Sequence, residues 1–110
     1  RVVGSATADA MLTLLEGTVA RDDATGKGAR VVGHRVAGKT GTSMIDVAGR
    51  QVAHASFVGA VPARRPRLVA MVTVDTTHEG YAGGTIAAPA FGDFAARALA
   101  ELGVPPEPAR

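Results

Sequence analysis

Cysteine is absent from the 110 residues, and lysine, aromatic side chains and long apolar runs are scarce. Without cysteine the chain can form neither a disulfide framework nor a thiolate metal site. No apolar run approaches the roughly 20 residues of a membrane-spanning helix. The chain opens with Arg-Val-Val, without an initiator methionine or a signal peptide, so we expect a piece of a longer protein.

Positive charge is spread thinly along the chain. The formal net charge is +2, and only Arg64, Arg65 and Arg67 form a basic cluster. Surfaces that bind nucleic acid combine such clusters with aromatic side chains, which make up only 4% of this chain. We therefore expect no nucleic-acid partner. We interpret the cluster, which lies beside Pro62 and Pro66, as the exposed tip of a hairpin.

The histidines do not form a metal-binding pattern. His34, His54 and His78 are far apart in the sequence and have few carboxylates near them. We expect no metal ion and no cofactor, and we interpret these residues as surface or strand histidines.

Hydrophobic periodicity predicts an α+β fold. A helix of about 16 residues should start near Ser5, with Ser5 or Thr7 as its cap. Residues 21–30 are polar and lack a period, so they predict a loop. The apolar stripe of the helix consists of Met11, Leu14, Leu15 and Val19.

Three strands are predicted next, at about 34–42, 52–61 and 67–75. The last two are separated by P-A-R-R-P, and this short connector predicts an antiparallel hairpin. A glycine-rich loop then leads to a closing helix, for which Pro89 suits the first turn and Gly103 the end. The apolar stripe of this helix consists of Phe91, Phe94, Ala95, Ala98, Leu99 and Leu102.

This arrangement leaves one face of the sheet without cover. Two helices can cover one face of three strands, yet the last strand, from Leu68 to Val74, is apolar almost throughout. A bare apolar sheet face is larger than the patches that monomers usually expose. We therefore expect a further layer on the second face.

Residues 33–43, G-H-R-V-A-G-K-T-G-T-S, contain two overlapping motifs. From Gly33 to Thr40 the letters match a phosphate-binding loop, in which Lys39 would reach the phosphates and Thr40 would hold magnesium. Asp75, at the end of an apolar strand, would help to hold the metal. From Lys39 onwards, K-T-G-T matches the box of serine acyltransferases that react with penicillin.

The context of the motif favours the second interpretation. A phosphate-binding loop requires a helix that starts at its lysine, but the residues after Lys39 include Gly41, Ser43 and Gly49 and have no helical period. It also belongs to a parallel sheet, whose crossovers are much longer than P-A-R-R-P. A lone lysine on a strand is usually a solvated charge, so the box by itself is weak evidence.

The KTGT box is one of several characteristic segments that follow one another along the chain. V-A-G-K-T-G-T is followed by H-A-S-F-V-G-A-V-P-A, P-R-L-V-A-M-V-T-V-D, Y-A-G-G-T-I-A-A-P-A-F and L-A-E-L-G-V-P-P, and it is preceded by T-A-D-A-M-L-T-L-L-E-G-T-V-A. In order and spacing, this series resembles the C-terminal part of the transpeptidase domain of class B penicillin-binding proteins, over nearly all of residues 1–110. Val36–Thr42 and A-A-P-A-F are most similar to the division and elongation (cell-shape) enzymes.

The resemblance implies a fold and an activity. The family has an antiparallel sheet between helices, with an all-helical region against the other sheet face. Its members are peptidoglycan D,D-transpeptidases, in which a serine attacks a D-Ala-D-Ala carbonyl and passes the acyl group to an amine. The implied partners are peptidoglycan stem peptides, β-lactams, the rest of the transpeptidase domain and other cell-wall synthesis proteins. The implied location is extracytoplasmic, with an N-terminal anchoring helix outside this chain.

The resemblance also implies roles for the box. Lys39 would attract the substrate carboxylate and ease proton transfer near the serine. Thr40 and Thr42 would hydrogen-bond that carboxylate, and the N–H of Thr42 would be an oxyanion-hole donor. Gly41 would leave room for the substrate backbone along the strand edge. Tyr81, Gly83 and Gly84 fit a loop whose role is turn geometry and packing.

The nucleophile is missing from this chain. The family motif is S-x-x-K, but the residues three positions after Ser5, Ser43 and Ser56 are Ala8, Asp46 and Gly59. The S-x-N motif is absent as well. We therefore expect the 110 residues alone to be inactive. The alternative is a non-catalytic binding module of the same fold, and S-x-x-K and S-x-N motifs upstream would distinguish the two.

Overall fold

The computed structural model describes residues 2–77 and 82–108. It contains a helix α1 (Ser5–Ala20), three strands, β1 (Ala37–Val47), β2 (Arg50–Val61) and β3 (Leu68–Thr76), and a helix α2 (Ala88–Glu101). A 3-10 turn covers Lys27–Ala29, and a π-helical turn covers Gly83–Ala87. The strands form one antiparallel sheet in the order β1-β2-β3. The predicted α+β class and antiparallel pairing are confirmed.

The strand pairing excludes the phosphate-binding loop. Lys39 lies inside β1, so no helix starts there. β2 and β3 run antiparallel and are joined by the short connector that follows Val61. Neither the helix N-terminus nor the parallel sheet that phosphate binding requires is present in the described residues.

The first hairpin is longer than the sequence predicted. We expected a connector from 43 to 51, but β1 continues to Val47 and β2 begins at Arg50. Ala48 and Gly49 form the turn, with φ angles of 53° and 81°. Positive φ at both central residues matches the twist of a two-residue hairpin. The side chain of Asp46 accepts a hydrogen bond from the N–H of Gly49 at 2.9 Å. β1 also starts later than predicted, at Ala37.

Both helices pack on the same face of the sheet. The core cluster includes Val19 of α1, Phe57 of β2, and Phe91 and Leu99 of α2. The rings of Phe57 and Phe91 are 4.8 Å apart between centroids and are both fully buried. Side chains alternate between faces along a strand, so Val58, next to Phe57, points to the opposite face.

The stripe predicted for α1 is only partly correct. Val19 is buried, but Met11 and Leu14 are 46% and 67% exposed. Glu16 is buried instead, because its carboxylate lies 3.3 Å from a guanidinium nitrogen of Arg64 and 3.7 Å from that of Arg35. Two arginines from outside the helix thus pair with Glu16 on the inward face of α1.

The predicted cap of α1 is wrong. Gly4 occupies the N-cap position and no side chain bonds to the first turn. Ser5 is already the first helical residue, so it cannot accept from the later N–H groups as a cap would.

α2 ends shortly before Gly103, as the sequence predicts. Gly103 has a φ of 69° and donates to the carbonyl of Ala100, while Val104 donates to Leu99. These two bonds form the Schellman arrangement that glycine favours. Phe91, Ala95 and Leu99 are buried as predicted, but Phe94 and Leu102 of the same stripe are about half exposed.

The other sheet face, here called the open face, carries no helix among the described residues. Val58, Val69 and Met71 lie on it and are 43%, 70% and 62% exposed. The alternate residues of β3, Leu68 and Val72 among them, pack against the core. The uncovered face predicted from the sequence is therefore present. None of the helices in the described ranges is long and apolar enough to cross a membrane.

Candidate active site

The KTGT box, Lys39–Thr42, lies in the first half of β1. β1 is an edge strand, since it pairs with β2 on one side only. An unpaired strand edge presents main-chain N–H and C=O groups that can pair with an extended peptide. The box therefore lies where an extended peptide can add alongside the sheet.

The hairpin register determines which groups of the box face this outer edge. In a two-residue hairpin the pair that flanks the turn, here Val47 and Arg50, exchanges hydrogen bonds, and such pairs alternate along the ladder. Counting back from the turn, Thr42 opposite Ala55 is a non-hydrogen-bonded pair. The N–H of Thr42 therefore points away from β2 to the outer edge. The same count places the N–H and C=O of Thr40 on that edge.

The side chain of Lys39 lies near the outward main-chain groups of Thr40. This residue lies opposite Val58, on the open face, and its side chain is exposed. Its Nζ donates to the carbonyl oxygen of Thr40 at 3.0 Å, which is possible because that carbonyl is not used by the ladder. The side chain of Lys39 thus places a cation beside the free main-chain groups of the edge.

Gly41 is enclosed on both faces of β1. On the open face, a Cβ at this position would lie 2.7 Å from Oγ of Ser56. On the helical face, the main chain of Gly83 packs against it so closely that a Cβ at Gly83 would lie 2.7 Å from the carbonyl oxygen of Gly41. Gly83 also donates its N–H to Oγ1 of Thr42 at 3.0 Å.

Thr40 is held from a third element. Its Oγ1 lies 3.1 Å from Oγ1 of Thr25, in the loop after α1. The two threonine hydroxyls of the box are therefore both engaged from outside the strand, Thr40 by Thr25 and Thr42 by Gly83. Thr25 was not predicted as a site residue, because it lies 15 residues before Thr40 in a loop without a motif.

The open face also carries a close contact between the side chains of His54 and Asp75. Nδ1 of His54 lies 2.5 Å from the carboxylate of Asp75, across β2 and β3. Asp75, which would help to hold magnesium in a phosphate-binding protein, pairs with a histidine instead. Groups of three or more potential metal ligands do not occur within the described ranges. His78 and Tyr81 lie outside the described residues.

Comparisons with known proteins show the family of this chain. The family described as the penicillin-binding protein transpeptidase domain matches residues 1–96, so the chain belongs to that family. A probable peptidoglycan D,D-transpeptidase, PbpC of Pseudomonas aeruginosa, is 45% identical over 72% of this chain and 15% of its own length. The stage V sporulation protein D of Bacillus subtilis is 39% identical over 96% of this chain and 17% of its length.

Solved structures support the same assignment. The transpeptidase domain of penicillin-binding protein 3 from Burkholderia pseudomallei superposes with a TM-score of 0.75 at 37% identity. It covers 89% of this chain, and this chain covers 30% of it. The chain thus spans about a sixth of the two curated relatives, at 15% and 17%, and less than a third of this domain.

Proposed function

We propose that the intact protein carrying this chain is a serine D,D-transpeptidase that cross-links peptidoglycan and is acylated by β-lactams. The observation that carries the proposal is the KTGT box on an open strand edge, with the N–H of Thr42 directed outward. A substrate peptide that adds to this edge would place its scissile carbonyl oxygen in front of that N–H. Such a donor stabilises the negative charge that develops on the oxygen in the transition state.

The other residues of the box act on the substrate carboxylate. Thr40 and Thr42 carry the hydroxyls that would hydrogen-bond it, and Lys39 supplies a cation beside them. Lys39 on the open face would also ease proton transfer near the reacting serine. Gly41 lets the substrate backbone approach the strand closely, since it has no Cβ on the open face.

The serine comes from the rest of the domain. None of Ser5, Ser43 and Ser56 has a lysine three positions later, so this chain carries no S-x-x-K motif. We propose that residues 1–110 are the C-terminal part of the transpeptidase domain and that an all-helical region bearing the serine packs on the open face. The exposed apolar side chains of Val58, Val69 and Met71 would be buried by that contact.

The cellular setting follows from the same proposal. Peptidoglycan lies outside the cytoplasmic membrane, so the enzyme would act there, held by an anchoring helix outside these residues. Stem peptides would be its substrates, and its partners would be other proteins of cell-wall synthesis in division or elongation.

A fluorescent penicillin tests the function directly. The intact wild-type protein should form a covalent adduct that survives denaturing electrophoresis. Lys39→Ala should slow the second-order acylation rate by about a hundredfold or more, since a charged contact in the site is lost. Lys27→Ala is the matched control, because Lys27 is the only other lysine in the chain and is exposed. Equal rates for wild type and Lys39→Ala, with unchanged circular dichroism, would refute the role of the box.

A further inference from the structure

Three polar side chains form a row across the open face of the sheet. The strand register places Ser43 opposite His54 and His54 opposite Asp75. Side chains alternate between faces along a strand, so these three point to the same face as Lys39. Ser43 and Asp75 are exposed, and His54 is half-buried. We call these three residues the polar row.

The polar row presents several hydrogen-bond acceptors. Nδ1 of His54 lies 2.5 Å from Oδ1 of Asp75. An ionised carboxylate can only accept, so Nδ1 carries the proton of this contact, and in the neutral imidazole Nε2 is an acceptor. The hydroxyl of Ser43 and the second oxygen of Asp75 can accept as well. The group that matches such a set is a donor with several N–H bonds, such as an ammonium.

The charge of the row also favours a cation. Within the described part of the chain, Asp75 pairs with His54 and with no lysine or arginine. Asp46, the other carboxylate among the described strand residues, lies on the opposite face. The two cations of the strands, Lys39 and Arg50, are each four residues from the row along their own strands, roughly 13 Å away. The carboxylate of Asp75 therefore makes this part of the open face negative.

The proposed function determines which part of a substrate would meet the row. A substrate carboxylate beside Lys39 and a scissile carbonyl at the N–H of Thr42 require a peptide that runs antiparallel to β1. The residue that carries the scissile carbonyl then lies opposite Thr42, and the residue before it lies opposite Ser43. Opposite side chains of an antiparallel pair point to the same face. The side chain of that preceding residue would therefore extend over the polar row.

The spacing of the strands determines how long this side chain must be. Adjacent strands lie about 4.8 Å apart, so His54 is roughly two spacings from the main chain of the peptide. A side chain with a four-carbon stem crosses the first spacing and brings its amine over Ser43 toward His54. A side chain as short as that of alanine would end before it reached these groups.

We propose that Ser43, His54 and Asp75 form a specificity subsite for a side-chain amine on the peptide residue that precedes the D-Ala-D-Ala pair. This inference rests on the proposed function and deepens it, because it names a feature of the substrate that the KTGT box does not contact. The ammonium would donate to Nε2 of His54 and to the hydroxyl of Ser43, and would face the carboxylate of Asp75.

Two peptides and three variants of the intact protein test the subsite. Both peptides are α-acetylated and end in L-Lys-D-Ala-D-Ala, and they differ only in whether the side-chain amine of the lysine is free or acetylated. The measurement is kcat/KM for release of the terminal D-alanine. Asp75→Asn removes the charge at constant size, and His54→Gln removes the imidazole. Asp46→Asn is the matched control, because Asp46 is an exposed carboxylate on the other face of the same sheet.

We expect wild type to prefer the peptide with the free amine by about fivefold or more, since an exposed charge pair and its hydrogen bonds are gained. Asp75→Asn and His54→Gln should reduce this preference by slowing the reaction of the free amine alone, and Asp46→Asn should keep it. The inference would be overturned by equal rates for the two peptides with wild type, by release from neither peptide, or by a full preference in Asp75→Asn.

Acylation by benzylpenicillin separates these outcomes from failure of the proposed function. Its side chain carries no amine, so wild type and Asp75→Asn should react with it at equal rates. A slower reaction of Asp75→Asn would show that the contact with His54 supports the site as a whole, and would also overturn the inference. If wild type is not acylated, the proposed function itself fails. Normal acylation of wild type together with equal rates for the two peptides would remove this inference alone.

Discussion

Oγ1 of Thr42 accepts a hydrogen bond from the N–H of Gly83 at 3.0 Å, although 41 residues separate them. The main chain of Gly83 also lies against β1 and β2. A Cβ at Gly83 would be 2.5 Å from the carbonyl oxygen of Ser56 and 2.9 Å from the nitrogen of Gly41. The π-helical turn therefore supports the box from behind, at the residue that would donate to the oxyanion.

Gly83→Ala should displace this support. Because the atoms nearest to the new methyl group belong to the main chain, relief requires a backbone shift, which typically costs about 1–3 kcal/mol of the free energy of unfolding. Acylation by penicillin should slow as well, since the shift moves Thr42. Urea unfolding of the intact protein and the acylation rate measure the two effects.

Gly17→Ala is the control for Gly83→Ala. A Cβ at Gly17 meets nothing within 4 Å, and this residue lies within α1. Alanine should stabilise the helix by roughly 0.5–1 kcal/mol. If Gly83→Ala behaved like Gly17→Ala, the close packing behind the box would be contradicted.

Gly41→Ala should be tolerated by the fold but not by the reaction. Its Cβ would meet only Oγ of Ser56, at 2.7 Å, and that side chain can rotate away. The methyl group would remain on the open face, where we propose that the substrate backbone approaches. We expect unfolding to change little and acylation to slow by about tenfold or more, since a small misplacement of the substrate is costly.

The double variant Gly41→Ala/Ser56→Ala tests whether slower acylation comes from obstruction of the substrate or from the contact with Ser56. Removing Oγ of Ser56 relieves the contact within the protein but leaves the obstruction of the substrate. The double variant should therefore react as slowly as Gly41→Ala. Recovery of the wild-type rate would show that the glycine serves the packing of β1 and β2 instead.

Glu16→Ala should destabilise the protein. Glu16 is 8% exposed and its carboxylate lies near Arg35 and Arg64, so its removal leaves two guanidinium groups without their shared partner. We expect a loss of about 1–3 kcal/mol in the free energy of unfolding. Glu101→Ala, at an exposed position near the end of α2, should change it by less than about 0.5 kcal/mol. Equal unfolding curves for both variants would refute the role of Glu16.

The sequence alone predicted those elements whose signals lie in a few consecutive residues. The end of α2 was predictable from Gly103 and the prolines after it. Glycine readily adopts the positive φ found at Gly103, and proline lacks the N–H that a continuing helix needs. The short connector after Val61 determined antiparallel pairing, since a crossover needs more residues. The series around the KTGT box identified the family, and the uncovered sheet face followed from counting apolar faces against helices.

Other features required the tertiary structure. The extension of β1 to Val47 depends on Ala48 taking a positive φ, which alanine rarely adopts and the sequence does not announce. Glu16 is buried, whereas Met11 and Leu14, which the apolar stripe predicted to face the core, are exposed. The arginines that make this burial possible come from later parts of the chain, and no local pattern contains them.

The candidate site divides in the same way. The residues of the box and their spacing are visible in the sequence, because they occupy consecutive positions of one strand. The outward direction of the Thr42 N–H depends on the hairpin register, and the supports at Thr25 and Gly83 lie 15 and 41 residues from their partners. Hydrogen bonds over such separations exist only after packing brings the loop, the turn and the strand together. The sequence therefore determined which residues form the candidate site, and the tertiary structure decided how they are held.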